Sequence, residues 1–249
     1  MKLLRTTILL TGYFFISACA THPHQEPQDP WQGVNRGIYT FNDALDRAIL
    51  KPIAQGYDKV VPKSVDRGID NIFSNIGDVV VLFNDILQLK IKQSASDTGR
   101  LLINSTVGLA GIFDVASPLG MPKHNEDFGQ TLGHWGAPPG PYIVLPFIGP
   151  STVRDSIGRL PDGAVNNVVL NAIGIDDLDE RLIYSATSIV NTRQGLLGAS
   201  DLLDNSGADP YTFLRESYLQ RRVQLVNDGI AQEEPLDAED EEALFGDDE

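Results

Sequence analysis

The chain is poor in the residues that cross-link or react. It has one cysteine, Cys19, in 249 residues. A lone thiol forms no internal disulfide, so stability must come from packing, from lipid or from a partner. Long apolar runs are missing too. The segment Ile8 to Ile16 falls well short of the ~20 residues a transmembrane helix needs. No basic stripe is visible, which argues against nucleic acid. There is no Gly-x-Ser-x-Gly elbow, no His-Glu-x-x-His and no phosphate-cradling glycine loop. No set of strands alternates convincingly, and no repeat of solenoid length appears. The expectation is therefore a mainly helical chain, without enzymatic machinery and without a metal or other cofactor. The loose cluster His124, Glu126, Asp127 and His134 is the one hint of hydrolysis or metal binding, and it spans a stretch that reads as a loop. His22 and His24 sit in a flexible tether and lack a coordination shell.

What the chain does have begins at that cysteine. Cys19 closes the run Ile16-Ser17-Ala18-Cys19, behind a short apolar segment preceded by Lys2 and Arg5. The pattern resembles a bacterial lipoprotein signal. Cleavage before Cys19 would remove residues 1–18, and the thiol would take a diacylglycerol. The freed amine usually takes a third chain. Each buried methylene adds about 0.8 kcal/mol, so such an anchor is close to permanent. An ordinary signal peptide with an incidental cysteine is the competing reading; the position of the sole cysteine at the cleavage point favours the lipoprotein signal. Ala20 stands where an aspartate usually retains enterobacterial lipoproteins at the inner membrane. The expected address is thus the outer membrane, lipid-anchored on the periplasmic side.

The formal charge of −15 is unevenly spread. Residues 233–249 hold ten acids and no base, which leaves −5 for the rest of the chain. A segment with so little to bury and so much self-repulsion is expected to be disordered. Solubility and docking to a basic partner are its two possible roles. Residues 19–30 are polar and proline-rich, a tether between anchor and fold. The division expected is a signal over 1–18, a tether over 19–30, a helical domain over 31–230 and an acidic tail over 231–249.

Helical spacing starts at Trp31, with Val34, Ile38, Phe41, Leu45, Ala48 and Ile49. Pro52 breaks this helix or begins a second one. Pro62 fits the first position of a long amphipathic helix, about 42 Å if carried to Leu89 at ~1.5 Å per residue. Its polar residues Asp66, Asp70, Asn71, Asn75 and Asp78 fall opposite the apolar set. Ser94 to Asp97 offer N-caps for a further helix, and residues 117–126 read as a loop. Gly136 to Pro150 is apolar yet rich in proline and glycine. It cannot be a regular helix and must take an extended or hairpin-like path. Helical signals return over Ser151–Ile157, weakly over Val165–Ile173, then over Leu178–Leu203. A last helix runs from Asp209, with Pro210 in its first turn, to about Asp228.

Several blocks, taken in order, resemble one family. Asp29-Pro-Trp-Gln-Gly-Val-Asn-Arg-Gly-Ile-Tyr-Thr-Phe-Asn42 looks like the opening of the MlaA (VacJ) lipoproteins, and Gly108-Leu-Ala-Gly-Ile-Phe-Asp-Val-Ala116 is similar to their central glycine segment. Asp127-Phe-Gly-Gln-Thr-Leu-Gly-His-Trp-Gly136, followed by Gly140-Pro-Tyr-Ile-Val-Leu-Pro146, is the most specific match. Asp209-Pro-Tyr through Arg221 resembles the closing helix. The resemblance implies an all-α fold, a ring-like assembly of amphipathic helices in the inner leaflet of the outer membrane, with an amphipathic channel through the ring. It implies removal of phospholipid mislaid in the outer leaflet, transfer to a soluble periplasmic carrier, and association with a trimeric porin.

In such a conduit Arg36, Arg100 and Arg154 are candidate headgroup contacts, since a guanidinium suits phosphate. The competing assignment is an exposed arginine or one paired to a nearby acid, as Arg154 with Asp155. His134 and Trp135 would bind or orient lipid, or simply pack. Gly136, Gly140 and Gly149 are candidate hinges of a gate; a static lipid-facing loop is the alternative. A structural lipoprotein scaffolding porins or envelope machinery is the rival function.

Overall fold

The computed structural model describes residues 27–229; the signal, Cys19 and the acidic tail lie outside the described residues. Nine α-helices and one hairpin make up this part of the chain. Helix α1 spans Gln32–Leu45 and passes through a π turn, Asp46–Leu50, directly into α2, Lys51–Val60. Pro52 is the second residue after this π turn, and its missing N–H interrupts the bonding from α2 back to the turn before it. Pro62 stands one place outside α3, Lys63–Leu87, in extended conformation. The 25 residues of α3 make it about 37 Å long.

Helix α4 covers Ile91–Thr106 and starts after Lys90, earlier than the Ser94–Asp97 caps suggest. The hydroxyls of Ser94 and Thr98 donate back to the carbonyls of Lys90 and Ser94. A hydroxyl satisfied by its own preceding turn is no longer a cap. Between α4 and the next helix the only regular piece is a 3-10 turn, Ser117–Leu119. The stretch from His124 to His134 is not all loop. Its second half is α5, Phe128–His134, capped by the Asp127 carboxylate, which accepts from Gln130 N at 2.8 Å.

The Pro/Gly segment forms an antiparallel hairpin. Strand β1, Tyr142–Leu145, pairs with β2, Gly149–Thr152, in the register Tyr142 to Thr152 and Leu145 to Gly149. Two strands of four residues are the whole β content among the described residues, too short for alternation to show. Helix α6 then runs unbroken over Val153–Ala172 with Pro161 inside it, where the sequence suggested two pieces. An interior proline costs roughly 3 kcal/mol, and α6 holds because it packs on both α3 and α5. Its contact with α5 is backbone to backbone: a Cβ on Gly158 would fall 2.4 Å from Gly129 N. The stretch from Leu178 is α7, Leu178–Gly195, and α8, Leu197–Ser206, separated at Leu196. Helix α9 covers Pro210–Val226 with Asp209 as its cap.

Neighbour contacts run from α2 to α7, α7 to α3, α3 to α6 and α5, α5 to α9, α9 to β2, and β1 back to α1. Inside this circuit the polarity is reversed from that of a water-soluble bundle. Among the described residues, seven hydrophobic residues are buried against 21 polar or charged ones. On α3 the buried side chains are Asp66, Asn75, Asp78, Val81, Asn84 and Asp85, while Val65 and Ile86 are half exposed. On α4 they are Asp97, Arg100 and Asn104, and Ile91 and Leu102 face out. Large apolar side chains are instead exposed on every helix but α5. No described helix is long and apolar enough to cross a membrane.

Candidate functional site

Three polar networks, the first of them built around a small apolar cluster, organise the interior. The cluster is Tyr142, Val144 and Tyr211, flanked by Ile38, Tyr39, Tyr218 and Leu219. It sits where the two ends of the described chain meet. Asp29 is fully buried there, inside the segment expected to be tether. It accepts from Asn35 at 2.8 Å, from the Tyr211 hydroxyl at 2.5 Å and from Arg215 at 3.2 Å. Asn35 also spans the free edge of β1, donating to Tyr142 O and accepting from Val144 N. Two helical turns later Asn42 repeats this, donating to Leu145 O and accepting from Phe147 N. Helix α1 thus covers the outer edge of the hairpin with two asparagines, and the tip, Phe147 and Ile148, stays exposed.

The second network lies between α5, α6 and α9. Arg222 donates to both oxygens of Asp127 and, at 2.9 Å, to Asp155 Oδ1. Asp155 also accepts from Arg154 at 3.1 Å and from the Tyr218 hydroxyl at 2.8 Å. Burial pushes the Asp127 carboxyl up, and the Arg222 guanidinium outweighs it, leaving the pKa below the usual value. Asp162 accepts from Phe128 N and from Asn84, and burial raises its pKa. These groups border a cavity of about 530 Å3 that Val80 and Ile148 also line. One cavity therefore has acids and arginines on part of its wall and aliphatic carbons on the rest.

The third network joins α3 to α4. Arg100 reaches Asp78 at 3.3 Å, Asp114 at 3.2 Å, the Ser117 hydroxyl at 2.7 Å and Met121 O at 3.0 Å. Lys123 pairs with Asp78 and His124 with Asp97. Asn104 accepts from Val115 N and Ala116 N, which fastens the glycine segment to α4. Asp85 is fully buried, and its Oδ2 has no donor. Burial, then the Asp97 and Glu126 carboxylates, push its pKa up to about 8. A proton held at Asp85 is what two adjoining carboxylates require.

The residues singled out from sequence are scattered. Arg36 is half exposed, 2.7 Å from Asp209, with its guanidinium 4.3 Å from the centre of the Tyr211 ring. Arg100 and Arg154 are buried and held by acids, Arg154 by the expected Asp155. Arg154 and Gly140 do share a smaller cavity, of about 250 Å3, with Arg222. His134 and Trp135 are exposed at the end of α5, and Trp135 meets Phe128 edge-on at 6.2 Å. Gly136, Gly140 and Gly149 all have positive φ, +88, +68 and +98, so the path of the hairpin itself calls for glycine there. The four residues of the loose cluster part company: His124 goes to Asp97, Glu126 to Lys90 and Gln88, Asp127 to Arg222, and His134 to the surface. No group of three possible metal ligands occurs among the described residues.

Sequence reasoning missed Asp29, Asn84, Asp155 as a hub, Asp162 and Arg222. The available signal was the polar stripe itself. Asp78, Asn84 and Asp85 on α3, and Asp97, Arg100 and Asn104 on α4, recur at helical spacing. In a soluble bundle that stripe faces water; here it faces the interior.

The fold and this interior define a class: a helical protein whose charged centre is enclosed by helices that present hydrocarbon outward. Comparison with known proteins agrees. The sequence pattern of the family described as MlaA lipoprotein matches residues 27–225, and the chain belongs to that family. It is 34% identical over 239 residues to the intermembrane phospholipid transport system lipoprotein MlaA of Escherichia coli K12, covering 91% of this chain and 90% of that one. The protein of the same name in Haemophilus influenzae is 31% identical over 233 residues, 91% and 89% of the two chains. An uncharacterized protein of Rickettsia felis is 35% identical over 200 residues, 79% and 77%. A solved structure described as the structural basis for maintenance of bacterial outer membrane lipid asymmetry superposes with a TM-score of 0.70 at 32% identity, over 80% of this chain and 99% of that one.

Proposed function

We propose that this chain is an outer-membrane lipoprotein, anchored through Cys19 on the periplasmic side, that removes phospholipid from the outer leaflet. The lipid passes through an amphipathic channel to a soluble periplasmic carrier, and lipid asymmetry is maintained. The reversed polarity of the fold carries this reading. Exposed apolar side chains on a soluble protein are normal singly and costly as a continuous surface. Among the described residues 31 large hydrophobics are exposed around a charged interior. A helix lying in a lipid leaflet turns its apolar face to acyl chains and its polar face elsewhere, and here that elsewhere is inward. The closed order of helix contacts supports a ring around the passage. A phospholipid has a headgroup that resists desolvation and tails that do not. A wall of charged and aliphatic groups, as around the cavity bordered by Arg222 and Ile148, suits both. The body then sits in the inner leaflet beside a porin trimer. Movement needs no covalent step, and direction comes from the carrier downstream. The hairpin is the gate, with Gly136, Gly140 and Gly149 as its hinges.

The test is the outer-leaflet phospholipid of cells lacking this protein. It should rise, fall again when the wild-type gene is returned, and fall poorly with Cys19→Ala. An outer leaflet unchanged by the deletion would leave the scaffold reading standing. Total phospholipid mass incubated with purified protein should stay constant; a loss would mark a hydrolase. For the gate, Gly140→Val places a side chain 3.2 Å from Val153 Cβ at a φ of +68. It should raise outer-leaflet phospholipid, and an unaltered outer leaflet at normal protein level would remove the gate.

A further inference from the structure

The 530 Å3 cavity has a cation that the interior does not use. Its lining includes two arginines and three aspartates. Arg222 is spent on Asp127 and Asp155, and Asp155 is held a second time by Arg154. Asp162 accepts from the Phe128 amide and from Asn84. The carboxylates that would repel an anion are thus each engaged. Arg159, in contrast, is exposed at the mouth of the cavity and makes no ion pair and no side-chain hydrogen bond with any described residue, although Asp155 and Asp162 lie one turn to either side of it on α6. Gly163, one turn further along, leaves open space: a Cβ there would meet nothing within 4 Å. Val80 and Ile148 line the same cavity. The arrangement is one unengaged guanidinium, open space at Gly163 and two aliphatic side chains in the same lining.

We propose that Arg159 is the phosphate contact of the passage, its guanidinium taking the phosphodiester of a glycerophospholipid while Val80 and the hairpin residue Ile148 meet the glyceryl and acyl carbons. A guanidinium presents a planar fork of donors that matches phosphate oxygens two at a time. Arg100 and Arg154 would have to give up a buried carboxylate to do the same, and Arg36 would leave Asp209. Arg159 gives up only water. This inference rests on the reading of the chain as a phospholipid conduit.

The experiment uses the full lipidated chain in two settings. In cells lacking the chromosomal copy, wild type, Arg159→Lys, Arg159→Ala and Arg159→Glu are expressed at matched levels, and outer-leaflet phospholipid is measured. In detergent, binding of a labelled phosphatidylglycerol is compared with binding of a diacylglycerol of the same chains, with and without inorganic phosphate. Arg159→Ala should weaken phosphatidylglycerol about tenfold, the loss of one good charge-assisted contact, with diacylglycerol unmoved. Arg159→Lys should fall between, and Arg159→Glu should rescue cells least. If wild type itself fails to lower outer-leaflet phospholipid, the conduit reading is wrong. If wild type rescues and Arg159→Ala and Arg159→Glu rescue equally well, the conduit stands and the role of Arg159 falls. Equal loss of phosphatidylglycerol and diacylglycerol would reduce Arg159 to a structural residue. Displacement of the lipid by inorganic phosphate at equal affinity would make the site one for free anions, which also overturns the proposal.

Discussion

The hairpin end and the α3–α6 end of this molecule solve the same problem by opposite means. At the hairpin end Tyr142, Val144 and Tyr211 make a small apolar core, sealed by Asp29 and Asn35. This is how a domain in water is built, with hydrocarbon inside and its few buried polar groups satisfied. At the other end Asp127, Asp155, Arg222 and Arg154 form the centre, and Ile157 and Leu160 on the same helix point out. Burying hydrocarbon gains free energy only against water. Against acyl chains that gain vanishes and hydrogen bonding between helices takes over. On the proposed function the difference is that of one chain folded for two solvents, each half fragile to a different change.

The largest effect should come from breaking the polar centre. Arg222→Ala leaves the buried Asp155 with Arg154 as its one remaining cation and strips the part-exposed Asp127 of its partner, a loss on the order of 3 kcal/mol. Denaturant unfolding of the full chain in detergent micelles would measure it. A cost below about 1 kcal/mol would mean that water fills the centre and that the contrast between the two ends is overstated. Tyr211→Phe is the matching test at the hairpin end. It deletes a hydroxyl that donates 2.5 Å to Asp29 and keeps the ring. The expected cost is about 1–3 kcal/mol, since a buried carboxylate loses one of its three donors.

Acidity separates the halves again. Asp85 in the α3–α4 network holds its proton up to about pH 8 when folded, against roughly 3.9 when unfolded. Between these values the folded state binds more protons. The contribution of Asp85 to stability is therefore full below about pH 4 and is lost as pH rises toward about 8. Asp85→Asn should remove that decline, leaving Tm unchanged in acid and raising it at pH 8. Asparagine keeps an oxygen for Gln93, which donates to Asp85 Oδ1 at 2.8 Å. A Tm of the variant below wild type at pH 8 would show that an ionised Asp85 is wanted there.

What was legible in the sequence follows the same division. The helices, the Pro/Gly hairpin and the closing helix with Pro210 could be read from spacing and from backbone chemistry, which are indifferent to solvent. The short strands could not, since four residues show too little alternation. The helix α5 was hidden behind Asp127, whose capping role resembles loop chemistry, and the continuity of α6 was masked by Pro161. The interior was the least legible part. Periodicity separates two faces of a helix without saying which is buried, and Asp78 or Arg100 looks like an outward residue until the surroundings are known. Arg159 had no sequence mark at all. Its distinction lies in partners that Arg222 has and it lacks, a relation set by side chains 63 positions apart.

The smallest effect should come from the outer rim of the hairpin end, where Arg36 meets Asp209 in water-accessible surroundings. The pair is close, at 2.7 Å, yet both side chains are more than 40% exposed, at 43% and 45%. Exposed pairs are screened and typically contribute 0.2–1 kcal/mol. The Tyr211 ring under the guanidinium adds roughly 0.5–1 kcal/mol at such a site. Asp209 keeps its second task, capping α9 by accepting from the Thr212 amide, whichever way Arg36 is changed. Arg36→Ala should thus cost about 1 kcal/mol in low salt and less in high salt, several times below Arg222→Ala. If the two substitutions cost the same, and the Arg36 loss is insensitive to salt, this rim is shielded from water by lipid or by a partner. The boundary between the two solvents would then run around the hairpin end as well, with the Tyr211 core inside it.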